Sequence, residues 1–432
     1  MPLIYLTPHP DIDYNILMKK PFLTQEKANE IISKIPTPFH VYHEKGIKDN
    51  AKELLNAFSW NKGFKEFFAV KATPSPAVLR LLASLGCGLD CSSYTELLMA
   101  EKLGITGENI MFSSNGTSAE EYKFAVKLGA VINLDDISHI PFLKEHAGIP
   151  KKISLRFNPG GEFKIGTVFM GSPHEAKYGL TRPQLTEAVK ALMAEGVEEF
   201  GIHSFLASNT VGEEYYPELA SIIFTAIKEL TAETGAKFTF ANLSGGIGVP
   251  YRPEQNKVDI YKISGGVKKH YNDILVKNNI CEVKIFTELG RYMLAPYGAL
   301  ITKVVHFKNI HREYANVDAC ASNLMRPAMY GAYHHITVLG KENSKSSKVY
   351  DIVGSLCENN DKFAVQRELP KLDRGDILFI HDTGAHGFAM GYNYNGKLRS
   401  AEVMLNENGS FKLIRRAETP NDYFATLEGF WN

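Results

Sequence analysis

A lysine closes an apolar run in FFAVK (67–71). Lysine is rarely buried without a partner. A desolvated lysine has a depressed pKa and can form a Schiff base, so Lys71 is a candidate catalytic residue. A strand-edge lysine reaching solvent is the plainer alternative. NLSGGIGVPY (242–251) sets Gly245 and Gly246 straight after another β-like run. Paired glycines let backbone N–H groups close on an anion such as phosphate. A tight turn has the same spacing. Ser208, in FLASN, could add a hydroxyl to that anion. TELGRY (287–292) holds Glu288 and Arg291 three apart. They could serve a cofactor ring and an anionic group, or form a surface ion pair.

DACASNLMRPAMYGAYHH (318–335) gathers Arg326, Tyr330, Tyr333, His334 and His335. Arginine suits bidentate recognition of a carboxylate. The adjacent histidines lack a third ligand at a metal-binding spacing, so no metal is expected. GSLCENNDKF (354–363) puts Cys357 beside Glu358, with Asp361 following, in a loop-like segment. A thiol there could donate a proton, act as a nucleophile, or be inert. HDTGAHGFAMGYNYNG (381–396) offers His386, Tyr392 and Tyr394 to a pocket, although such a stretch also makes ordinary β corners. Taken together, a lysine, a phosphate cradle, an acid for a ring nitrogen, arginines and a thiol fit pyridoxal phosphate chemistry.

These residues need elements to hold them. Eight β-like runs lie between residues 66 and 289: EFFAVK, CGLDCS, NIMFSS, AVINLD, KISLRFN, FGIHSFL, FTFANLS and VKIFTEL. Amphipathic stretches alternate with them. In PAVLRLLASLG, Val78, Leu81, Leu82 and Leu85 share one helix face. In TRPQLTEAVKALMAEG, Leu185, Ala188, Val189 and Leu192 do the same after Thr181, a candidate N-cap. Eight such units suit a (β/α)8 barrel, with a doubly wound open sheet as the competing reading. A barrel demands chemistry where strands end. Those ends carry Lys71, Asp90, Asn115, Asp135, Asn158, Ser208, Gly245 with Gly246, and Glu288 with Arg291. After about residue 295 the runs become short, strand-like and turn-separated, with NENGS as a hairpin signal. The expected division is a barrel over 41–295, with 1–40 and 296–432 forming a β-rich domain.

Charge limits the partners. The 432 residues carry 48 basic and 48 acidic side chains, which argues against a general nucleic-acid binder. No run approaches the ~18 apolar residues of a membrane span. The N-terminus reads as lacking a secretory leader. Five scattered cysteines, an odd number, suit reduced thiols and a cytoplasmic setting.

The motifs above, with YNYNGKLRSAEV near the C-terminus, stand in one order. In that order the chain resembles the fold-type III pyridoxal-phosphate decarboxylases, most closely their diaminopimelate decarboxylase branch. The resemblance runs from PTPFHVYHEKGI to RRAETPNDYFATL, nearly the whole chain. It implies an alanine-racemase-like fold, a (β/α)8 barrel followed by a mainly β domain. It implies pyridoxal 5'-phosphate as cofactor, and loss of carbon dioxide from meso-2,6-diaminopimelate to give L-lysine. Lys71 would carry the cofactor covalently. Gly245, Gly246 and Ser208 would bind its phosphate, and Glu288 its pyridine nitrogen. Asp90, Phe205, Gly290, Arg291 and Tyr394 would complete the cofactor set. Arg291, Arg326, Tyr330 and His386 would face a small amino-acid substrate. Cys357 and Glu358 match a pair that enters from the partner subunit of a homodimer with shared active sites. Cys357 would donate a proton and Glu358 would recognise the distal amino group.

Three departures stand out. FLAS (205–208) replaces the family's HIGS, so Phe205 stands for a ring-stacking histidine. Leu289 replaces a proline. His386 replaces a tyrosine that reaches phosphate and substrate, leaving Tyr394 as the candidate to take its place. These departures keep open a related decarboxylase or racemase acting on another amino acid, including a D-amino acid.

Overall fold

The computed structural model describes residues 19–161 and 173–429. The N-terminal segment read as lacking a leader lies outside the described residues. Strand β1 (Phe39–His43) precedes the alternating region. Strands β2 (Lys65–Ala69), β3 (Gly88–Cys91), β4 (Ile110–Ser113), β5 (Val131–Leu134), β6 (Lys152–Arg156), β7 (Glu199–His203), β8 (Phe238–Asn242) and β9 (Lys284–Thr287) then form a closed parallel barrel. Closure is direct. β2 pairs with β9, Lys65 opposite Phe286 and Glu66 opposite Thr287. The open-sheet alternative falls.

The alternation of side chains explains the two cores. Phe67, Met111, Val131, Phe240 and Phe286 pack together inside the barrel. Their neighbours Phe68, Ile110, Phe112, Ile132, Ile285 and Ala241 face outward, toward the helices. Gly201 is required by this packing. A Cβ there would stand 2.1 Å from the Phe240 ring. The outer helices follow the sequence pattern. Helix Arg182–Ala194 buries Leu185, Ala188, Val189 and Leu192. Gln184 Oε1 accepts from the Thr181 N–H and hydroxyl at 2.9 and 2.8 Å, which fixes its start.

Beyond the barrel lie β10 (Gly298–Asn309), β11 (Glu313–Val317), β12 (Ile336–Val338), β13 (Ser347–Val353), β14 (Lys362–Pro370), β15 (Ile377–Ile380), β16 (Ala401–Leu405) and β17 (Phe411–Arg415). They form one nine-stranded sheet with β1. β1 runs antiparallel to β10 and parallel to β16. The NENGS turn joins β16 to β17, with Asn406 N–H donating to Ser410 O at 2.8 Å. Sequence reading missed β14. Its charges hide the alternation, and Gln366 has a φ of 46°, which breaks the register with β13. β13 and β14 are linked by the segment that carries Cys357 and Glu358.

Candidate active site

The barrel strands end at a cavity of about 830 Å³. Its wall continues onto the β-rich part of the chain through Arg326, Tyr330, Tyr333 and His386. A TIM-type barrel places its chemistry on this face, because the loops that follow the strands converge there.

Lys71 sits in a short 3₁₀ turn, Val70–Ala72, directly after β2. Its side chain is 56% exposed because it projects into the cavity, and its Nζ lies 3.4 Å from Asp90 Oδ2. Asp90 itself is buried. A lysine desolvated after FFAV would have a depressed pKa. The structure reverses the sign: the Asp90 charge raises it, outweighing desolvation, with Glu288 and Glu96 adding to the rise. Burial and then Glu288 push Asp90 up to about 7, against the pull of Lys71. The cofactor-set residue Asp90 therefore reaches Lys71 and does not line the cavity.

Glu288 follows β9 and is the most heavily bonded acid of the site. Asn242 Nδ2 donates to its Oε1 at 2.7 Å, and Ser244 Oγ to its Oε2 at 2.8 Å. His203 Nε2 approaches Oε2 at 3.1 Å. Burial alone would raise Glu288, but His203, Lys71 and Ser244 together lower it to about 2. Burial lowers His203, so this partner is a neutral imidazole donating Nε2–H. Asn242, Ser244 and His203 were missed in the sequence. His203 ends β7 two residues before Phe205, the same-face spacing of a strand.

The glycine turn makes a cradle. Gly246 has a φ of 119°, and a Cβ there would stand 2.8 Å from Ala207 O and closer still to the Tyr215 ring. A Cβ on Gly245 would meet Glu288 O at 3.0 Å. Among the described residues the Gly245 and Gly246 N–H groups and the Ser208 hydroxyl make no hydrogen bond within the protein. Free donors on a loop that admits no side chain suit a phosphate. Gly290 packs tightly behind, where a Cβ would stand 2.6 Å from Ala72 Cβ. Phe205 lines the cavity and presents an aromatic face.

The cavity lining also carries arginines. Arg291 Nη1 donates to Tyr251 OH at 2.6 Å, and Arg326 lies over the same ring at 4.6 Å. Arg326 Nη1 also donates to His334 Nε2 at 2.9 Å. Tyr330 lines the cavity while 41% exposed. His386 is forced into the left-handed region at φ 56°, and its N–H donates to Ala72 O at 2.8 Å. Burial, Arg291, Arg326 and Lys71 hold its pKa far below the ordinary value, so it is neutral. Arg156, also unforeseen, ties two strand-end residues together, donating to Asn115 Oδ1 at 2.8 Å and Asp135 Oδ1 at 3.2 Å. Asn158, by contrast, braces its loop through Pro173 O and Tyr178 O.

Three expected residues stand elsewhere. Tyr394 is not part of the cavity wall. It is 51% exposed, in a surface turn whose Asn395 has a φ of 56° and lies beside Cys357. Cys357 and Glu358 are exposed in the β13–β14 link, outside this chain's own cavity. Asn395 Oδ1 accepts from the Cys357 N–H at 2.8 Å.

A closed barrel bearing a lysine, a bare-glycine anion cradle and an ionised, buried glutamate defines an enzyme built for a phosphate-bearing ring. The model for the pyridoxal binding domain of pyridoxal-dependent decarboxylases matches residues 44–295. Protein TabA of Pseudomonas amygdali pv. tabaci is 38% identical over 93% of both chains. A diaminopimelate decarboxylase of Methanothermobacter thermautotrophicus is 32% identical over 91% of this chain and 92% of that one. A crystal structure of diaminopimelate decarboxylase from M. jannaschii in co-complex with L-lysine superposes with a TM-score of 0.85 at 30% identity, covering 92% of this chain and 93% of that one. The chain belongs to the fold-type III family of pyridoxal-dependent decarboxylases, whose cofactor is pyridoxal 5'-phosphate. The cradle, Lys71 and Glu288 fit that group. Among the described residues, no helix is long and apolar enough to cross a membrane.

Proposed function

We propose that this chain decarboxylates meso-diaminopimelate to L-lysine and carbon dioxide, the closing step of lysine biosynthesis. The carrying observation is the cavity's charge, with Lys71, Glu288, Arg291 and Arg326 all lining it. Relatives named diaminopimelate decarboxylase support the same reading.

Lys71 would hold the cofactor, Ser208, Gly245 and Gly246 its phosphate, and Glu288 its ring nitrogen. Asp90, Phe205, Gly290 and Arg291 would support that set. Pyridoxal phosphate, when bound, supplies an electron sink for the pair left by a departing carboxylate. The protein does the rest. Asp90 keeps Lys71 oriented. Asn242, Ser244 and His203 keep Glu288 ionised, so it can accept a ring N–H without taking the proton. Arg326, Arg291 and Tyr330 bind the far carboxylate, with neutral His386 beside them. Cys357 Sγ, entering from a second copy, returns a proton to the carbon that lost carbon dioxide, while Glu358 binds the distal amine. This requires a homodimer with shared active sites. We also propose the division into a cofactor-binding part, 41–295, and a β-rich part, 1–40 with 296–432, and a cytoplasmic setting.

A second reading is a related decarboxylase or racemase for another amino acid. It is favoured by Phe205, by His386 and by the 38% identity to a relative whose name states no reaction. Carbon dioxide release from meso-diaminopimelate, ornithine, arginine and their D-forms, measured side by side, separates the two. Preference for diaminopimelate supports the first, and preference for any other supports the second.

A further inference from the structure

The arginine lining does not stop at Arg291 and Arg326. Arg252, next to Tyr251, lies over the Tyr333 ring at 4.7 Å, and Arg367 lies over the same ring at 4.1 Å. Arg367 Nη1 donates to His334 O at 3.1 Å, while Arg326 Nη1 donates to the imidazole of the same residue. Four guanidinium groups are thus joined through Tyr251, His334 and Tyr333. Three of them, Arg252, Arg291 and Arg326, line the cavity. Among the described residues none of the four forms an ion pair. The neighbouring acid Asp382 is engaged by Lys19 at 2.5 Å, and Glu254 acts on Tyr333 without pairing with Arg252.

Guanidinium groups this close repel one another. Aromatic faces offset part of the repulsion, since each ring presents its negative face to a cation. What remains is a field that favours an incoming anion. Arg252 is also held in place at its backbone. Its N–H donates to Gln255 Oε1 at 3.0 Å, and its carbonyl accepts from the Gln255 N–H at 3.1 Å. Its side chain is exposed, which puts it on the solvent side of the wall.

We infer that Arg252 is a further specificity-determining residue, an outer guanidinium that acts with Arg291 and Arg326 on the far carboxylate of a dicarboxylic amino acid. It favours dianionic over monoanionic ligands through capture, with Tyr333 and Arg367 positioning it. The inference rests on the decarboxylase reading of the cavity, but not on diaminopimelate being the substrate.

The test is binding of pimelate and of hexanoate to the holoenzyme by calorimetry, at low and raised salt. Neither probe has an amine to react, so the result is independent of turnover. The wild type should bind pimelate more tightly than hexanoate. Arg252→Gln should cut the pimelate-to-hexanoate affinity ratio about tenfold, as expected for one charged hydrogen bond, and flatten the salt dependence. Arg252→Lys should restore part of both. A thermal melt for each variant checks folding. An affinity ratio unchanged in Arg252→Gln, or no preference for pimelate in the wild type, overturns the inference. Absence of carbon dioxide release from diaminopimelate with the ratio effect intact would instead overturn the substrate assignment alone.

Discussion

His203 Nε2 and Glu288 Oε2 meet at 3.1 Å with both side chains out of solvent. The imidazole is neutral and the carboxylate ionised, so the contact is a charge-assisted hydrogen bond and not an ion pair. It leaves His203 Nδ1 buried without a protein partner. A neutral donor serves the site better than a cation would. It steadies the Glu288 charge without cancelling the field that the carboxylate presents to the cavity.

The pH dependence of stability follows from this pair. Glu288 is held at about 2, below its ordinary value of 4.5. A carboxyl lowered in the folded state contributes stability that is full above the ordinary value and is lost as pH falls toward the folded one. Between pH 4.5 and 2 the wild type should therefore lose stability more steeply than Glu288→Gln, read from urea midpoints. Asp90 has the opposite sign. Its pKa is raised from 3.8 to about 7, so wild type should lose ground to Asp90→Asn as pH rises across that window.

Arg326 is buried, and its guanidinium is anchored by His334 and the Tyr251 ring. If Arg326 binds substrate as proposed, removing it takes away a charged hydrogen bond without removing a partner of Lys71. Arg326→Ala should reduce kcat/KM for diaminopimelate about 100-fold and keep the visible absorbance of bound cofactor. Steady-state kinetics beside an absorption spectrum checks both.

Cys357 lies outside its own chain's cavity, so its action requires a second copy. Lys71→Ala should lack the visible cofactor absorbance, and Cys357→Ala should retain it, both being inactive. Mixing the two after dissociation and reassociation should restore about a quarter of wild-type activity. Half the dimers would be mixed, and each mixed dimer has one intact site. Activity that stays at the level of the separate variants would remove Cys357 from the site.

The barrel was legible in the sequence because eight apolar runs alternate with helices at the right spacing. Lys71, Gly245, Gly246, Glu288 and Arg291 were legible because their types are unusual straight after a strand. The buttress was not. His203, Asn242 and Ser244 look like ordinary polar residues until folding brings β7, β8 and β9 side by side. The sign of the Lys71 shift was misread for a similar reason. A lysine after FFAV suggests desolvation, but the aspartate that outweighs it comes from the next strand. Tyr394 stands outside its own chain's cavity, next to a left-handed residue at 395 that no residue type announces.

Packing inside the barrel gives a prediction independent of chemistry. A Cβ at Gly201 would stand 2.1 Å from the Phe240 ring, inside a core already filled by Phe67 and Phe286. Gly201→Ala should cost about 1–3 kcal/mol by overpacking. Urea unfolding checks it, and Gly235→Ala is not the control to use, since its positive φ of 71° brings its own strain. Ala at exposed Gly265, where a Cβ meets nothing, is the proper comparison.

The most direct test of the whole account is the product balance from meso-diaminopimelate. Holoenzyme is incubated with carboxyl-labelled substrate, and labelled carbon dioxide and L-lysine are quantified together. The account predicts equal amounts of the two, with turnover abolished in Lys71→Ala. Absence of carbon dioxide from diaminopimelate, while the same preparation releases it from another amino acid, would contradict it.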